Sequence, residues 1–228
     1  MIRLYLVRHG QTVENLEHIL QGHMPGHLTN AGKEQMRQLG KELAGIHFDH
    51  LLCSDLQRAI DSAICMNLSL PVTTTPLLRE RDWGIFTGCK IETIRRDEAF
   101  PESVESTEQL YRRATLFIDF LLKNYDGKSI LCVSHGLFNR FISSVVSGKP
   151  YYEIPRFENS GSRKTVFAVL HPAKTKPLPT KLNSHSKLVT SFRRSLQRKK
   201  YLCIIRFLCN NNILWILHTS YRRENTVR

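Results

Sequence analysis

Three short apolar runs in this chain stop abruptly on polar residues, and that pattern constrains the fold more than any other feature. Ile2 to Val7 ends at Arg8-His9-Gly10, Asp49 to Cys53 at Ser54-Asp55, and Ile130 to Val133 at Ser134-His135-Gly136. Runs of this length, rich in β-branched and aliphatic residues and lacking a polar alternation, form strands buried on both faces, as in parallel sheets. A fourth run, Thr165 to Leu170, reads as a last strand.

Segments with helical periodicity lie between these strands. Met36, Leu39, Leu43 and Ile46 recur at three- and four-residue steps after Thr29-Asn30, either of which can cap a helix beginning near Ala31. Leu56, Ala59, Ile60, Ala63 and Met66 repeat likewise, which puts Asp55 at the start of a second helix. Ser106-Thr107-Glu108-Gln109 has the form of a capping box ahead of Leu110, Ala114, Phe117, Ile118 and Leu121, and Leu137 to Val146 is a further helical segment. Strands and helices alternating at these lengths predict an α/β fold: a mainly parallel sheet with helices on both faces, a three-layer sandwich. Open sheets of this kind bind ligands beyond the carboxyl ends of their strands. The three polar termini are therefore expected to meet at one edge.

Charge separates the chain into two regions. Of 33 Lys and Arg, 13 fall in residues 173–228 beside a single acidic residue, Glu224, so the tail carries +12 of the net +13. A nearly neutral body with a basic extension is not a basic nucleic-acid-binding fold, and no nucleic acid is expected as a partner of the core. We expect a catalytic domain over residues 1–172 and a basic, poorly structured extension over 173–228. The apolar patches between Tyr201 and Leu217 are broken by Arg206 and Asn210-Asn211-Asn212, so no membrane span is expected. Six cysteines without C-x-x-C spacing, and an N-terminus that runs straight into a strand, fit a reduced cytoplasmic setting.

The polar termini suggest a chemistry. A phosphate monoester is a compact dianion, and gripping it takes several fixed donors and positive charge. The planar guanidinium groups of Arg8 and Arg58 can each bind two phosphate oxygens, and Asn15 supplies a neutral donor nearby. A neutral imidazole between two arginines can attack phosphorus, which assigns His9 as nucleophile. Glu80, in Leu77-Leu78-Arg79-Glu80-Arg81-Asp82, is the candidate proton donor, with Asp82, Glu102 and Glu105 as alternatives or Glu80 as a mere surface partner of Arg79 or Arg81. His135 would stabilise charge on the transferring group. Gln21 and Gly22 are placed at the substrate entrance. His18, His23 and His27 sit among Gly and Pro with no cysteine nearby, so no metal is expected there.

These segments resemble one family. Leu4 to Asn15 (LYLVRHGQTVEN) is similar to the R-H-G-[EQ]-T-x-x-N signature of the histidine phosphatase superfamily, also called the phosphoglycerate mutase family. SDLQRAIDSA (Ser54 to Ala63), LLRERDWGIFTG (Leu77 to Gly88) and CVSHGLFNR (Cys132 to Arg140) resemble its other blocks, in its order. The resemblance covers roughly residues 1–170. It implies a phosphoglycerate mutase-like fold, His9 as the phosphorylated residue, Arg8, Asn15, Arg58 and His135 as phosphate ligands, Glu80 as proton donor, and no metal or organic cofactor. Three positions depart from it: Ser62 stands where Thr is common, Leu137 where a second Gly is common, and Thr87 where an acidic residue is frequent.

Mutases of the superfamily carry a longer insertion between the blocks holding the acid and the second histidine. Only 54 residues separate Glu80 from His135 here, which favours hydrolysis of a small phosphomonoester over mutase activity. The expected enzyme is a phosphoric monoester hydrolase of the histidine acid or sugar phosphatase kind. A non-catalytic binder of phospholigands or nucleic acid acting through the tail is the competing class. Substrate identity and oligomeric state are not legible.

Overall fold

The computed structural model describes residues 1–94 and 99–157 in full, and beyond them the backbone of three strands spanning 165–170, 203–209 and 212–218. Seven strands form one sheet: β1 (Ile2–Arg8), β2 (His50–Ser54), β3 (Val72–Thr75), β4 (Ser129–Ser134), β5 (Thr165–Leu170), β6 (Cys203–Cys209) and β7 (Asn212–His218). Their order is β3-β2-β4-β1-β5-β6-β7. The first four are parallel to one another, and β5, β6 and β7 add antiparallel pairs at the β1 side.

Among the described residues five α-helices connect or flank these strands: α1 (Val13–Leu16), α2 (Asn30–Leu43), α3 (Gln57–Cys65), α4 (Thr107–Asn124) and α5 (Gly136–Ser147). Thr29 caps α2 through its side-chain oxygen, and Ser106 with Gln109 forms the expected capping box on α4. Strand β3 and the single turn α1 are not anticipated by pattern. Val72-Thr73-Thr74-Thr75 is a partly exposed edge strand with little apolar character, and α1 is too short to show periodicity.

Helices cover both faces of the sheet, as a strand buried on both sides demands. Along β4 the side chains alternate: Ile130 and Cys132 join the core built with α4 and α5, whereas Leu131 and Val133 join the core built with α2 and α3. Leu110, Ala114, Phe117, Ile118 and Leu121 on α4 pack with Phe138, Phe141 and Ile142 on α5, all of them essentially inaccessible to solvent. Opposite, Met36, Leu39 and Leu43 on α2 meet Ala59 and Ala63 on α3. Burial of this kind contributes about 1.5–3 kcal/mol per large apolar side chain, and so specifies which helix face lies on the sheet.

Within residues 173–228 the structure describes β6 and β7 as an antiparallel hairpin on β5; the rest of the expected extension lies outside the described residues. Among the described residues no helix is long and apolar enough to cross a membrane.

Candidate active site

The parallel register brings the polar strand ends together. Arg8 at the end of β1 pairs with Ser134 at the end of β4, and the next residue, His9, donates its N–H to the Ser134 carbonyl at 2.9 Å. Strand β2 lies on the other side of β4, so Ser54 ends beside the same edge. The outcome is a buried cluster of His9, Arg58 and His135, with Arg8 alongside and the two imidazole centroids 5.2 Å apart at 59°.

His9 is held in one tautomer. Its Nδ1 lies 2.8 Å from the Gly10 carbonyl oxygen, which can only accept, so Nδ1 carries the proton and Nε2 keeps its lone pair. Burial, followed by the nearby charges of Arg58 and Arg8, holds the His9 pKa well below its ordinary value of 6.5. The ring is therefore neutral at physiological pH. His135 is depressed in the same direction by burial and by Arg58, His9, Arg8 and Arg113. Its Nε2 sits 2.8 Å from Ser54 Oγ, which also accepts from the Leu56 N–H, and its Nδ1 has no partner among the described residues.

Arg58 enters the cluster from the first turn of α3 and is about 1% exposed. Two carbonyls aim it: Gly22 O accepts from one terminal nitrogen at 2.9 Å, and Met24 O accepts from the other. Gly22 adopts φ of 49°, a left-handed turn that suits glycine, and a Cβ there would stand 2.8 Å from Thr87 Oγ1. Burial pushes the Arg58 pKa down to about 10, while Glu80 and Glu14 act in the opposite direction. The guanidinium remains a cation at neutral pH. Arg8 donates to the Phe157 carbonyl at 2.7 Å, and Gly136 leaves its guanidinium room, since a Cβ would lie 3.1 Å from Arg8 Cζ.

Glu80 is half-buried and forms an ion pair with neither neighbouring guanidinium, although its Oε1 accepts from the Arg81 backbone N–H at 2.9 Å. Arg79 instead binds Asp55 in a fork at 2.7–3.1 Å, which occupies the residue expected to open the second helix. Arg81 donates to the Glu105 carbonyl and stacks over Trp83 and Phe100. The Glu80 carboxylate reaches the start of α5, where Leu137 N–H and Phe138 N–H donate to it at 3.2 Å each. Of the alternatives, Glu105 is engaged by Arg113 at 2.7 and 2.9 Å, and Asp82 accepts from Gly84 N–H and lies 3.7 Å from His23. Asn15 completes a capping box with Thr12, its Oδ1 accepting from the Thr12 N–H, so the amide nitrogen is the end able to donate to an anion. Gln21 is buried, with Nε2 donating to Thr12 Oγ1 at 2.9 Å. His18, His23 and His27 turn to separate acids, Glu92, Asp82 and Glu14.

Four residues have supporting roles that sequence reasoning does not reveal. Ser54 orients His135. Ser62 accepts from the Gly10 N–H at 3.0 Å and donates to the Arg58 carbonyl at 2.6 Å, tying the loop of one site residue to the helix of another. Glu14 anchors the 25–28 loop through the N–H and ring of His27. Arg113 reaches the Glu80 segment from α4. Each is a common residue type inside a helix or strand, and only its contacts reveal its use.

The sequence model of the histidine phosphatase superfamily (branch 1) matches residues 4–184. The chain belongs to this superfamily. It is 33% identical to a broad-specificity phosphatase of Saccharomyces cerevisiae over 152 residues, which cover 60% of this chain and 66% of that protein's length, just under two thirds. It is 30% identical to the adenosylcobalamin/alpha-ribazole phosphatase of Escherichia coli over 64% of this chain and 79% of that one, and 29% identical to a probable phosphoglycerate mutase of an Enterobacter species over 67% and 78%. Among solved structures, a putative alpha-ribazole-5'-P phosphatase from Escherichia coli superimposes with a TM-score of 0.65 at 26% identity, covering 76% of this chain and 91% of that one. The superfamily match extends past residue 172, into the region expected from charge to be an extension.

Proposed function

We propose that this superfamily member is a metal-independent phosphomonoesterase that hydrolyses a small phosphorylated metabolite through phospho-His9. One observation carries the reading: Nδ1 of His9 is committed to the Gly10 carbonyl, which leaves the Nε2 lone pair on a neutral, buried ring beside two guanidinium groups. Arg8, Arg58 and the Asn15 amide bind the phosphoryl oxygens. We take the Ser54 O–H as the donor to Nε2 of His135, since its oxygen already accepts from the Leu56 N–H; the His135 ring proton then sits on Nδ1 and meets the charge building on those oxygens. Gln21 and Gly22 line the entrance, where Gly22 also aims Arg58.

The reaction runs in two steps. Nε2 of His9 bonds to phosphorus as the ester P–O bond breaks, and Glu80 gives its proton to the departing oxygen. Water then attacks phosphorus, Glu80 takes a proton from it, the N–P bond breaks and inorganic phosphate leaves. The short connection from Glu80 to His135 supports access of water, and hence hydrolysis over mutase turnover.

Rapid quench into alkaline denaturant with a phosphate-labelled substrate tests the intermediate, which should be alkali-stable and acid-labile and should map to His9. His9→Ala should trap no label and lose all turnover, so residual turnover in that variant sinks the proposal. A panel of phosphomonoesters assayed with EDTA tests metal need and specificity together. Isomerisation dependent on 2,3-bisphosphoglycerate would identify a mutase instead.

A further inference from the structure

We infer that Arg113, on α4, is a positioning residue that sets the aim of the Glu80 carboxylate; this rests on the reading of Glu80 as proton donor. Arg113 is largely buried, and its guanidinium is committed in three directions. Two nitrogens meet the Glu105 carboxylate at 2.9 and 2.7 Å, which balances its charge. The same group donates to three backbone carbonyls of the segment that carries Glu80: Leu77 O at 3.3 Å, Arg79 O at 2.6 Å and Glu80 O at 3.3 Å. Its Cζ lies over the Phe138 ring, 3.9 Å from the ring centre.

Phe138 is the connecting element. Its N–H, at 3.2 Å, holds one Glu80 oxygen, while its ring supports the arginine that fixes the Glu80 backbone. Arg113 thereby locks the two parts of the frame around Glu80 to each other: the segment leaving the 3-10 turn Pro76–Leu78, which supplies the carboxylate, and the first turn of α5 that receives it. Core packing holds Leu78, whose carbonyl also accepts from Ser134 Oγ at 2.8 Å. A cavity of about 380 Å³ borders the segment at Pro76 and Arg79, with His23, Asp82, Glu105 and Arg113 also in its walls. His23 adds one further donor to the Glu80 carbonyl, at 3.1 Å. A lysine at 113 would keep the charge but could not satisfy Glu105 and three divergent carbonyls at once, because its single ammonium lacks the fork geometry.

Dependence on the leaving group separates aim from general stability. A proton donor matters when the departing oxygen is a poor leaving group and hardly at all when it leaves as a stable phenolate. We compare Arg113→Lys with the parent on a simple alkyl phosphate and on p-nitrophenyl phosphate. The variant should lose about 30-fold in kcat/KM on the alkyl ester and less than about threefold on the aryl ester, consistent with a misplaced acid. Equal losses on both esters, or no loss on either, overturn the assignment of Arg113. Glu80→Gln is measured in parallel. If Glu80→Gln shows no leaving-group dependence, the role of Glu80 itself fails; if it does and Arg113→Lys does not, only the present inference fails. Adding Arg113→Lys to Glu80→Gln should cost little more on the alkyl ester, since the acid is already gone. Should Arg113→Lys not fold, Glu105→Gln, which releases the guanidinium from its counter-charge, must show the same selective loss on the alkyl ester.

Discussion

At the residue scale, both histidines of the candidate site are held by neighbours that take no part in the proposed chemistry. The Gly10 carbonyl commits one nitrogen of His9, and the Ser54 hydroxyl commits one nitrogen of His135. Replacing Ser54 with alanine removes the second constraint and leaves a buried ring nitrogen unsatisfied. Ser54→Ala should lower kcat/KM about tenfold and lower stability by about 1–2 kcal/mol, measured by steady-state assay and urea unfolding. Full activity in that variant would mean that the ring proton of His135 is placed by something else. Ser62, one of the three departures from the superfamily signature, does its work with a hydroxyl alone, which is why serine serves where threonine is common.

Among elements, the deciding feature is how closely helices approach each other and the loops that carry site residues. Helix α2 passes so near the end of α3 that a Cβ on Gly40 would stand 2.0 Å from the Met66 carbonyl oxygen, backbone that cannot swing aside. Gly40→Ala gains helix propensity in isolation but forces the two helices apart. A net loss of about 1–3 kcal/mol in stability is expected by denaturant unfolding. An unchanged or higher midpoint would show that α2 can shift without cost. Because α3 carries both Arg58 and Ser62, any such displacement should also reach the sheet edge that carries the candidate site.

For the whole molecule, two buried neutral histidines make stability depend on pH. The folded pKa of each lies well below 6.5, so below that pH the unfolded chain binds more protons than the folded one. Their contribution is complete above 6.5 and declines as pH falls through that value, at up to roughly 1.4 kcal/mol per pH unit for each histidine. Thermal melting followed from pH 7 to pH 5 should show this decline, and the doubly substituted His9→Gln/His135→Gln protein should show less of it. A melting temperature flat across that range would contradict the buried neutral assignment. We propose residues 1–172 as the catalytic unit, since every site residue named above lies within residues 1–157; strands β6 and β7 nevertheless continue the same sheet.

Periodicity and the abrupt ends of apolar runs were sufficient to read the alternation of strands and helices, the capping of α2 and α4, and the delivery of Arg8-His9, Ser54-Asp55 and Ser134-His135 to one sheet edge, because these depend on local spacing and residue chemistry; that His9, Arg8, Asn15, Arg58, Glu80 and His135 act as one set is the reading proposed above. Strand β3 was illegible because it is an edge strand whose short run carries three threonines and little apolar signal. Spacing puts Asp55 at the start of the second helix, which begins at Gln57, but cannot show that Arg79, 24 residues away, takes its carboxylate. Which nitrogen of each histidine is committed, where Glu80 points, and how Arg113 grips its backbone were decided only by tertiary structure. Those properties depend on contacts between segments far apart in the chain, and a hydrogen bond's partner is a matter of position in space, which no local pattern records.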